Sequence, residues 1–204
     1  MPLRPEIASL DVAQSRQRSR IEFGLELDHP VVLATGGSLG ARSINEAVEN
    51  ALPALLRAGI HVVHITGNAD EQPSETNGYV RMGYCDDMGA AFSAADIVIS
   101  RSGSSTVSEL AALGIPAVFV PYAVGNGGQA FNARSSVNAG GALLVADSEL
   151  SGEWIQRTLI PLVSSSARLK KMSAAMASTG TREGSELTVN LIEEALASRS
   201  TPAS

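Results

Sequence analysis

The sequence predicts an α/β fold built on a doubly wound parallel sheet. Short apolar runs rich in β-branched residues recur along the chain, at about 31–35, 60–66, 79–83, 96–100, 115–121 and 142–146. Segments with helical spacing separate most of these runs, at about 40–57, 86–94, 105–113 and 128–138. Apolar strands that alternate with helices indicate a parallel sheet covered on both faces. The stretch 67–78 is polar and predicts a surface loop.

The two ends of the chain differ from this middle part. The spacing after residue 148 predicts helices at about 151–163, 166–177 and 183–198. We interpret the polar residues 1–28 as an interdomain linker or lead-in, in which the basic run from Arg16 to Arg20 forms an exposed helix face. The expected organisation is this linker, one binding domain at 29–198 and a disordered tail at 199–204.

The composition narrows the function classes. A net charge of −6 argues against a nucleic-acid partner, because no basic stripe is present to neutralise phosphates. The single cysteine, Cys85, excludes an intramolecular disulfide and a cysteine-based zinc site, and it is typical of a reducing cytoplasm. With three histidines we expect no histidine-rich metal site. No apolar run approaches the roughly 20 residues that span a bilayer, so we expect a cytoplasmic protein.

Three turns that follow predicted strands carry the candidate site, because ligands bind at the carboxyl ends of the strands in an open parallel sheet. The first turn contains Gly36, Gly37, Ser38 and Gly40. Its glycines let the backbone approach an anion, and the N–H groups of the next helix, expected to begin near Ser38, favour a phosphate. Ser38 either caps this helix or donates to a phosphate oxygen. The alternative is a tight turn without a ligand, and neither a dinucleotide fingerprint nor a P-loop fits the spacing.

The second turn runs from Ser100 into a helix that contains Glu109. A loop of small residues again opens the helix, with hydroxyl groups at Ser104, Ser105 and Thr106. The carboxylate of Glu109, about one turn into the helix, can accept hydrogen bonds from both hydroxyls of a ribose. The alternative is a simple cap, with Ser105 or Thr106 as the N-cap residue and Glu109 in the first turn.

The third turn is glycine-rich, at 125–128, and leads into a helix in which Gln129 and Asn132 lie on one face. Two neighbouring amides can both donate to and accept from sugar hydroxyls. The alternative is a polar, solvent-facing helix start. Taken together, the three turns predict a pyrophosphate flanked by a nucleoside and a polyol.

Other chemically capable side chains receive structural interpretations. His61 and His64 are three residues apart on a strand, so they point to opposite faces and cannot share a ligand. We interpret His64 as structural and Cys85, which has no nearby histidine to activate it, as a buried or loop thiol. Asp86 and Asp87 predict an N-cap and a first-turn acid rather than metal ligands.

In these motifs the sequence resembles the C-terminal half of the MurG family of UDP-N-acetylglucosamine–N-acetylmuramyl-(pentapeptide) pyrophosphoryl-undecaprenol N-acetylglucosamine transferases, and its actinobacterial members in particular. The resemblance extends from about residue 2 to about residue 147. The motifs that carry it are Gly36-Gly37-Ser38 with Gly40-Ala41 and Asn45, Asp87-Met88, Ala94-Ala95-Asp96, Arg101-Ser102-Gly103 with Thr106 and Glu109, Gly114-Ile115-Pro116-Ala117, Val120-Pro121, Gln129, Asn132-Ala133 and Gly140.

The resemblance implies a GT-B architecture, in which two Rossmann-like domains face each other across a cleft and this chain is the C-terminal, donor-binding half. It implies an inverting hexosyltransferase, in which the muramyl C4 hydroxyl of lipid I attacks the anomeric carbon of UDP-N-acetylglucosamine to give lipid II for peptidoglycan synthesis. It implies no metal and no catalytic residue in this half. An N-terminal domain that is missing here is expected to bind the lipid I acceptor and to contact the cytoplasmic face of the plasma membrane.

For the phosphates, the resemblance implies contacts with the turn that contains Gly37, Ser38 and Gly40. It places Ser104 and Thr106 beside the phosphates and the sugar. Charge on the departing diphosphate is then stabilised by helix N-termini instead of a cation.

For the nucleoside, the resemblance implies that the backbone at Cys85 reads the uracil, that Met88 packs nearby and that Glu109 takes the ribose hydroxyls. For the sugar, it implies that Gln129 and Asn132 hold the hydroxyls of N-acetylglucosamine.

Two positions depart from the family pattern. Leu39 replaces a usual glutamine near the phosphates, and Gly128 stands where many members carry an amide or an acid near the sugar. Two other functions remain open. A UDP-sugar epimerase of the same architecture would place a carboxylate or a histidine beside the sugar, and a non-catalytic nucleotide-sugar-binding module would use the same turns.

Overall fold

A parallel sheet with one antiparallel edge strand organises the protein. A computed structural model describes residues 1–37, 40–67, 74–122 and 127–199. Within these ranges the strands are β1 (Val31–Thr35), β2 (His61–Ile65), β3 (Ser74–Thr76), β4 (Tyr79–Met82), β5 (Ile97–Ser100), β6 (Ala117–Phe119) and β7 (Ala142–Leu144). Their order is β3-β4-β2-β1-β5-β6-β7, and only the β3–β4 pair is antiparallel. Each of the six predicted runs forms a strand, so the predicted parallel sheet is confirmed.

The helices occupy the predicted connections and the C-terminal part of the chain. They are α1 (Pro5–Ala8), α2 (Val12–Glu22), α3 (Arg42–Arg57), α4 (Met88–Ala94), α5 (Ser104–Leu113), α6 (Gly128–Ala139), α7 (Gly152–Trp154), a π-helical turn (Ile155–Leu159), α8 (Ile160–Val163), α9 (Ser166–Ala177) and α10 (Gly184–Arg199). None of the described helices combines the length and the apolar character that crossing a bilayer requires.

Alternate residues of β1 belong to two separate cores, one on each face of the sheet. Leu33 belongs to the same core as Phe92 of α4 and Leu110 of α5. Val32 belongs to the other core, with Ile44 of α3. All five side chains are 2% exposed or less, and burying each contributes about 1.5–3 kcal/mol. Two covered faces are what a doubly wound sheet requires.

The edge strand β3 lies where the sequence predicted only a polar surface loop. It pairs with β4 in the register Ser74↔Arg81 and Thr76↔Tyr79, and Asn77 and Gly78 connect the two strands. The prediction missed β3 because an edge strand of polar residues shows no apolar alternation. The Asn-Gly pair was the available signal, since it is common in two-residue hairpin loops. Residues 68–73 of the predicted loop lie outside the described ranges.

Two helix starts also differ from prediction. The helix expected near Ser38 begins at Arg42 instead, because Gly40, with φ +70°, is not helical. Helix α5 begins at Ser104 with Gly103 as its N-cap residue and no side-chain cap. The alternative of a Ser105 or Thr106 cap is therefore wrong.

The basic run from Arg16 to Arg20 is not wholly an exposed helix face, as the sequence suggested. Arg20 is 6% exposed and donates hydrogen bonds to the backbone oxygens of Ala94 (3.1 Å), Leu27 (2.6 Å) and His29 (3.1 Å). Burial lowers the pKa of its guanidinium, and the charge of a nearby carboxylate opposes this effect. The helical lead-in is thus fastened to the amino ends of the strands.

The carboxylate that holds Arg20 is Asp96, just before β5. Its Oδ2 accepts from Arg20 Nη2 (2.7 Å) and from the backbone N–H of Val31 (2.8 Å), and its Oδ1 accepts from Arg16. One side chain therefore connects α2, the start of β1 and the start of β5.

We expect Asp96→Ala to lower the free energy of unfolding by about 3 kcal/mol. The change leaves the buried guanidinium of Arg20 without its carboxylate partner and the backbone N–H of Val31 without its acceptor. Urea unfolding measures this loss. The control is Glu22→Ala, which removes an exposed ion pair with Arg18 and is expected to cost less than about 0.5 kcal/mol. Equal losses in the two variants would contradict the role assigned to Asp96.

Candidate functional site

The candidate site is a cleft of about 1010 Å³ at the carboxyl ends of the strands. The chain runs from β1 to β2 on one side and later returns to place β5 on the other side of β1. Ligands bind at such a topological switch point in open α/β sheets. The last residues of the two strands, Thr35 and Ser100, are register partners and both line the cleft. The turns that follow them therefore lie at the same edge of the sheet.

The first turn brings its glycine backbone to the cleft. Gly37 donates its N–H to Thr35 Oγ1 (3.2 Å), and Gly40 donates to the carbonyl of Gly37 (2.9 Å). A Cβ on Gly40 would lie 2.2 Å from the carbonyl oxygen of Thr66, so only glycine fits there. Gly37 and Gly40 both line the cleft. Ser38 and Leu39, at the centre of the predicted phosphate turn, lie outside the described residues.

Two helices begin at the cleft without a side-chain cap. The N-cap residues of α3 and α5 are Ala41 and Gly103, and neither helix has a side-chain hydrogen bond to its first turn. By contrast, α4 is capped by Asp87, which accepts from Ala90 N (2.8 Å). The predicted N-cap is confirmed, but the first turn of α4 contains no acid, so the predicted first-turn acid is wrong. Orphan N–H groups and the helix dipole favour an anion at such starts. Thr106, in the first turn of α5, lines the cleft, whereas Ser104 is exposed and is not among the described lining residues.

One end of the cleft combines apolar side chains with a buried carboxylate. Cys85, Met88 and Phe92 line it. Glu109 is 4% exposed and accepts two hydrogen bonds from Arg4, at 2.8 Å from Nε and 3.1 Å from Nη2. The pKa of Arg4 is raised, mainly because its guanidinium donates a hydrogen bond to the carboxylate of Glu109.

Cys85 does not have the properties of a nucleophile. Its Sγ donates to the carbonyl of Asp87 at 3.3 Å, and burial raises the pKa of its thiol. A raised pKa keeps the thiol protonated, and a protonated thiol reacts poorly. The interpretation of Cys85 as a buried or loop thiol is confirmed, since it is 9% exposed.

The two amides of the third turn are held differently. Gln129 lines the cleft, and its Oε1 accepts from the backbone N–H of Tyr122 at 2.9 Å. Asn132 donates to the carbonyl of Ser102 at 3.1 Å and is not among the described residues that line the cleft. Residues 123–126, which include the first half of the glycine-rich turn at 125–128, lie outside the described ranges.

A polar network that the sequence did not predict also lines the cleft. Arg101 pairs with Asp147 and donates to Ser43 Oγ (3.1 Å), and Ser43 donates to Asp147 Oδ1 (2.6 Å). The guanidinium carbon of Arg101 lies 5.5 Å from the ring centroid of Tyr122, within the range of a cation–π interaction. Asp147 follows the last parallel strand and Arg101 follows β5, so their positions after strands were the available signal.

A buried hydroxyl at the base of the cleft supports a polar ligand. The Oγ of Ser100 is buried and has no hydrogen-bond partner among the described residues. Leaving such a group unpaired costs about 1–3 kcal/mol. His64, in contrast, contacts Tyr79 Oη (3.1 Å) and Asn45 Oδ1 (3.1 Å) through its two ring nitrogens. Its structural interpretation is therefore confirmed.

Comparison with known families identifies the domain. The model of the glycosyltransferase family 28 C-terminal domain matches residues 31–188. The chain belongs to this family. The matched range contains every described strand and the part of the cleft formed by the three turns.

Relatives of this family 28 domain carry one recurring name. The UDP-N-acetylglucosamine–N-acetylmuramyl-(pentapeptide) pyrophosphoryl-undecaprenol N-acetylglucosamine transferase of Clavibacter michiganensis subsp. michiganensis is 46% identical over 98% of this chain and 54% of its own length. The protein of that name from Streptomyces collinus is 43% identical over 97% of this chain and 56% of its own length. The crystal structure of Acinetobacter baumannii MurG matches with a TM-score of 0.75 at 26% identity, covering 92% of this chain and 55% of that one.

The chain thus spans about half the length of the curated relatives it matches. The resemblance to MurG proteins drawn from the motifs is confirmed, as is a GT-B glycosyltransferase fold.

The Arg101–Asp147–Ser43 network gives a pH-dependent prediction. Burial raises the pKa of Asp147, but the hydrogen bonds from Ser43 and Arg101 and the Arg101 charge outweigh it, so the pKa falls below its ordinary value of 3.8. At a pH between the folded and the unfolded pKa of Asp147, its carboxyl group is protonated in the unfolded chain and ionised in the folded one. The stability contributed by the network is therefore complete above pH 3.8 and is lost as the pH falls through the folded pKa.

We expect Asp147→Asn to be less stable than the wild type by a constant amount between about pH 5 and pH 7, and the difference to shrink below about pH 4. Urea unfolding of both proteins across this range measures it. A difference that is the same at about pH 3 and at about pH 7 would contradict the network.

Proposed function

We propose that this chain is the donor-binding half of an inverting glycosyltransferase that uses UDP-N-acetylglucosamine. The observation that carries the proposal is the convergence of three features on the β1–β5 switch point. These features are the glycine turn before α3, the uncapped start of α5 and the buried carboxylate of Glu109. The first two suit a diphosphate, and the third suits the ribose of a nucleoside.

The diphosphate is proposed to lie between the starts of α3 and α5, with Gly37, Ser38, Gly40, Ser104 and Thr106 as its contacts. Each helix start offers N–H groups and a dipole that stabilises an anion by about 0.3–1 kcal/mol. The arginines that line the cleft already pair with carboxylates, as Arg42 does with Glu46 at 2.6 Å. Fixed backbone dipoles then stabilise the charge that grows on the departing UDP, without reorganisation at the moment of reaction. We propose no metal and no cofactor for this step.

The nucleoside is proposed to occupy the apolar end of the cleft, with its uracil at the backbone of Cys85 beside Met88. A carboxylate has about four lone-pair directions, and Arg4 occupies two of those on Glu109. The remaining directions are available to the two hydroxyls of a ribose. Arg4 was not predicted as a site residue, and by this geometry it holds the carboxylate in one orientation.

The sugar is proposed to contact Gln129, Asn132 and Ser104. Gln129 lies at the cleft and its amide orientation is set by the bond to Tyr122 N. The same interaction keeps the start of α6 close to the end of β6. Asn132 would reach the sugar only by exchanging its bond to Ser102.

The complete transfer requires an acceptor. We propose that the muramyl C4 hydroxyl of a lipid-linked acceptor, lipid I, attacks the anomeric carbon with inversion while UDP leaves, giving lipid II. The curated relatives named for this reaction are nearly twice as long as the matched segment. We therefore assign the acceptor, its activation and the contact with the cytoplasmic face of the membrane to an N-terminal domain, with residues 1–28 as the connection to residues 29–198.

We expect Glu109→Gln to weaken UDP binding about 10- to 100-fold, because it removes hydrogen bonds to a charged group worth about 1.5–3 kcal/mol. Isothermal titration calorimetry with UDP and 2′-deoxy-UDP measures the effect, and the loss should be smaller for the deoxy compound. The matched control is Glu49→Gln, an exposed carboxylate of α3 that does not line the cleft, for which we expect less than about a twofold change. Wild-type UDP affinity in Glu109→Gln would refute the ribose assignment.

We expect Gln129→Ala to weaken binding of UDP-N-acetylglucosamine about tenfold while leaving UDP affinity within about twofold, because Gln129 is proposed to contact the sugar and not the nucleotide. Competition titrations with the two ligands separate the effects. Asn138→Ala, an exposed amide at the far end of α6, is the control. Equal weakening of both ligands would place Gln129 outside the sugar subsite.

A further inference from the structure

A second group of chemically capable side chains lies at the opposite edge of the sheet from the cleft. His29 precedes β1, His61 is the first residue of β2, and Glu26 lies on the segment that leads into β1. Each offers one potential ligand atom, and these atoms lie within 4.8 Å of one another. None of the three side chains lines the cleft. The cluster is therefore independent of the proposed donor site.

The three side chains already contact one another. The imidazole rings of His29 and His61 stack with their centroids 4.5 Å apart and their planes 2° from parallel. The Oε2 of Glu26 lies 3.1 Å from Nδ1 of His29. The carboxylate and the imidazoles are the ligand types that suit zinc and its neighbours among the transition metals.

The most buried member of the cluster has an unused nitrogen. His61 is 6% exposed, and its Nδ1 is buried without a hydrogen-bond partner among the residues that the structure describes. The other edge of its ring packs against Gly78, where a Cβ would lie 2.7 Å from Cδ2 of His61. Only glycine leaves room for the ring in this position. A buried polar atom without a partner costs about 1–3 kcal/mol, and a bound cation would remove that cost.

One positive charge lies near the cluster. Arg20 donates a hydrogen bond to the carbonyl of His29 at 3.1 Å. Its ion pair with Asp96, at 2.7 Å, offsets that charge.

We propose that Glu26, His29 and His61 form a binding site for a divalent transition-metal ion of the zinc class. Tetrahedral coordination with metal–nitrogen distances of about 2.0–2.1 Å brings the ligand atoms to about 3.3 Å from one another. His61 is the fixed ligand. The side chains of His29 and Glu26 are 37% and 55% exposed. Glu26 is therefore free to close the remaining distance, and the His29 ring, which is parallel to that of His61, is free to rotate out of the stack and direct a nitrogen at the ion. Water completes the coordination.

The metal would act on stability and not on the reaction. Its three ligands belong to the segment before β1 and to the start of β2, two parts of the chain more than 30 residues apart. Coordination would fasten them together beside the bonds that Arg20 makes to Leu27 and His29. A ligand that binds only the folded state raises stability as its concentration exceeds the dissociation constant.

The test uses the full chain without a histidine tag, freed of metal by a chelator and titrated with zinc chloride. We expect one ion per chain and a rise in melting temperature of about 5–10 °C at a free zinc concentration about a hundred times the dissociation constant. Magnesium chloride should give no rise, because magnesium prefers oxygen ligands. A saturating amount of UDP should leave the zinc-dependent rise unchanged. No rise with zinc, or its loss in the presence of UDP, would overturn the proposal.

Variants assign the ligands. We expect His29→Gln and Glu26→Gln each to weaken zinc binding at least about tenfold, and both change partly exposed side chains that the fold tolerates. His61→Gln should abolish binding, and its circular dichroism spectrum checks that it folds. Glu22→Gln, an exposed carboxylate on α2 paired only with Arg18 among the described residues, is the matched control and should bind as the wild type does. Unchanged affinity in His29→Gln would overturn the assignment whatever the behaviour of His61→Gln.

Discussion

The structure depends on the side-by-side ending of β1 and β5, where Thr35 and Ser100 are register partners. From this point the chain diverges, because α3 belongs to the core on one face of the sheet and α5 to the core on the other. The divergence opens a crevice above the strand ends, and it aims two helix starts into that crevice. The cleft and the proposed positions of the phosphates and the nucleoside all follow from this one arrangement.

The charges of the cleft are arranged in pairs. Arg4 with Glu109 and Arg101 with Asp147 place cations and anions in direct contact at its two ends. Paired charges hold side chains in fixed orientations, and their electric fields largely cancel. The dipoles of the helix starts therefore contribute more to the electrostatic potential in the cleft. A site of this kind stabilises an anion through groups that do not move.

The two edges of the sheet have different tasks. At the carboxyl edge, loops with orphan N–H groups form a surface for a ligand. The Ser100 hydroxyl, which has no hydrogen-bond partner among the described residues, is part of this surface. At the amino edge, Asp96 and Arg20 fasten the lead-in helix, and the stacked histidines lie beside them. Residues before β1 reach both edges, since Arg4 contacts Glu109 while Arg20 contacts Asp96.

Local chemistry in the sequence determined the alternation of strands and helices, the glycine turn at Gly37 and Gly40, the Asp87 cap and the positions of Glu109 and Gln129 after strands. These depend on periodicity and on neighbours within a few residues, which a linear pattern contains. Only the tertiary structure decided the Arg4–Glu109 pair, 105 residues apart, the stacking of His29 on His61 and the network that joins Arg101 to Asp147. Such contacts depend on strand order and register, and no short-range pattern along the chain encodes the distance between two strand ends.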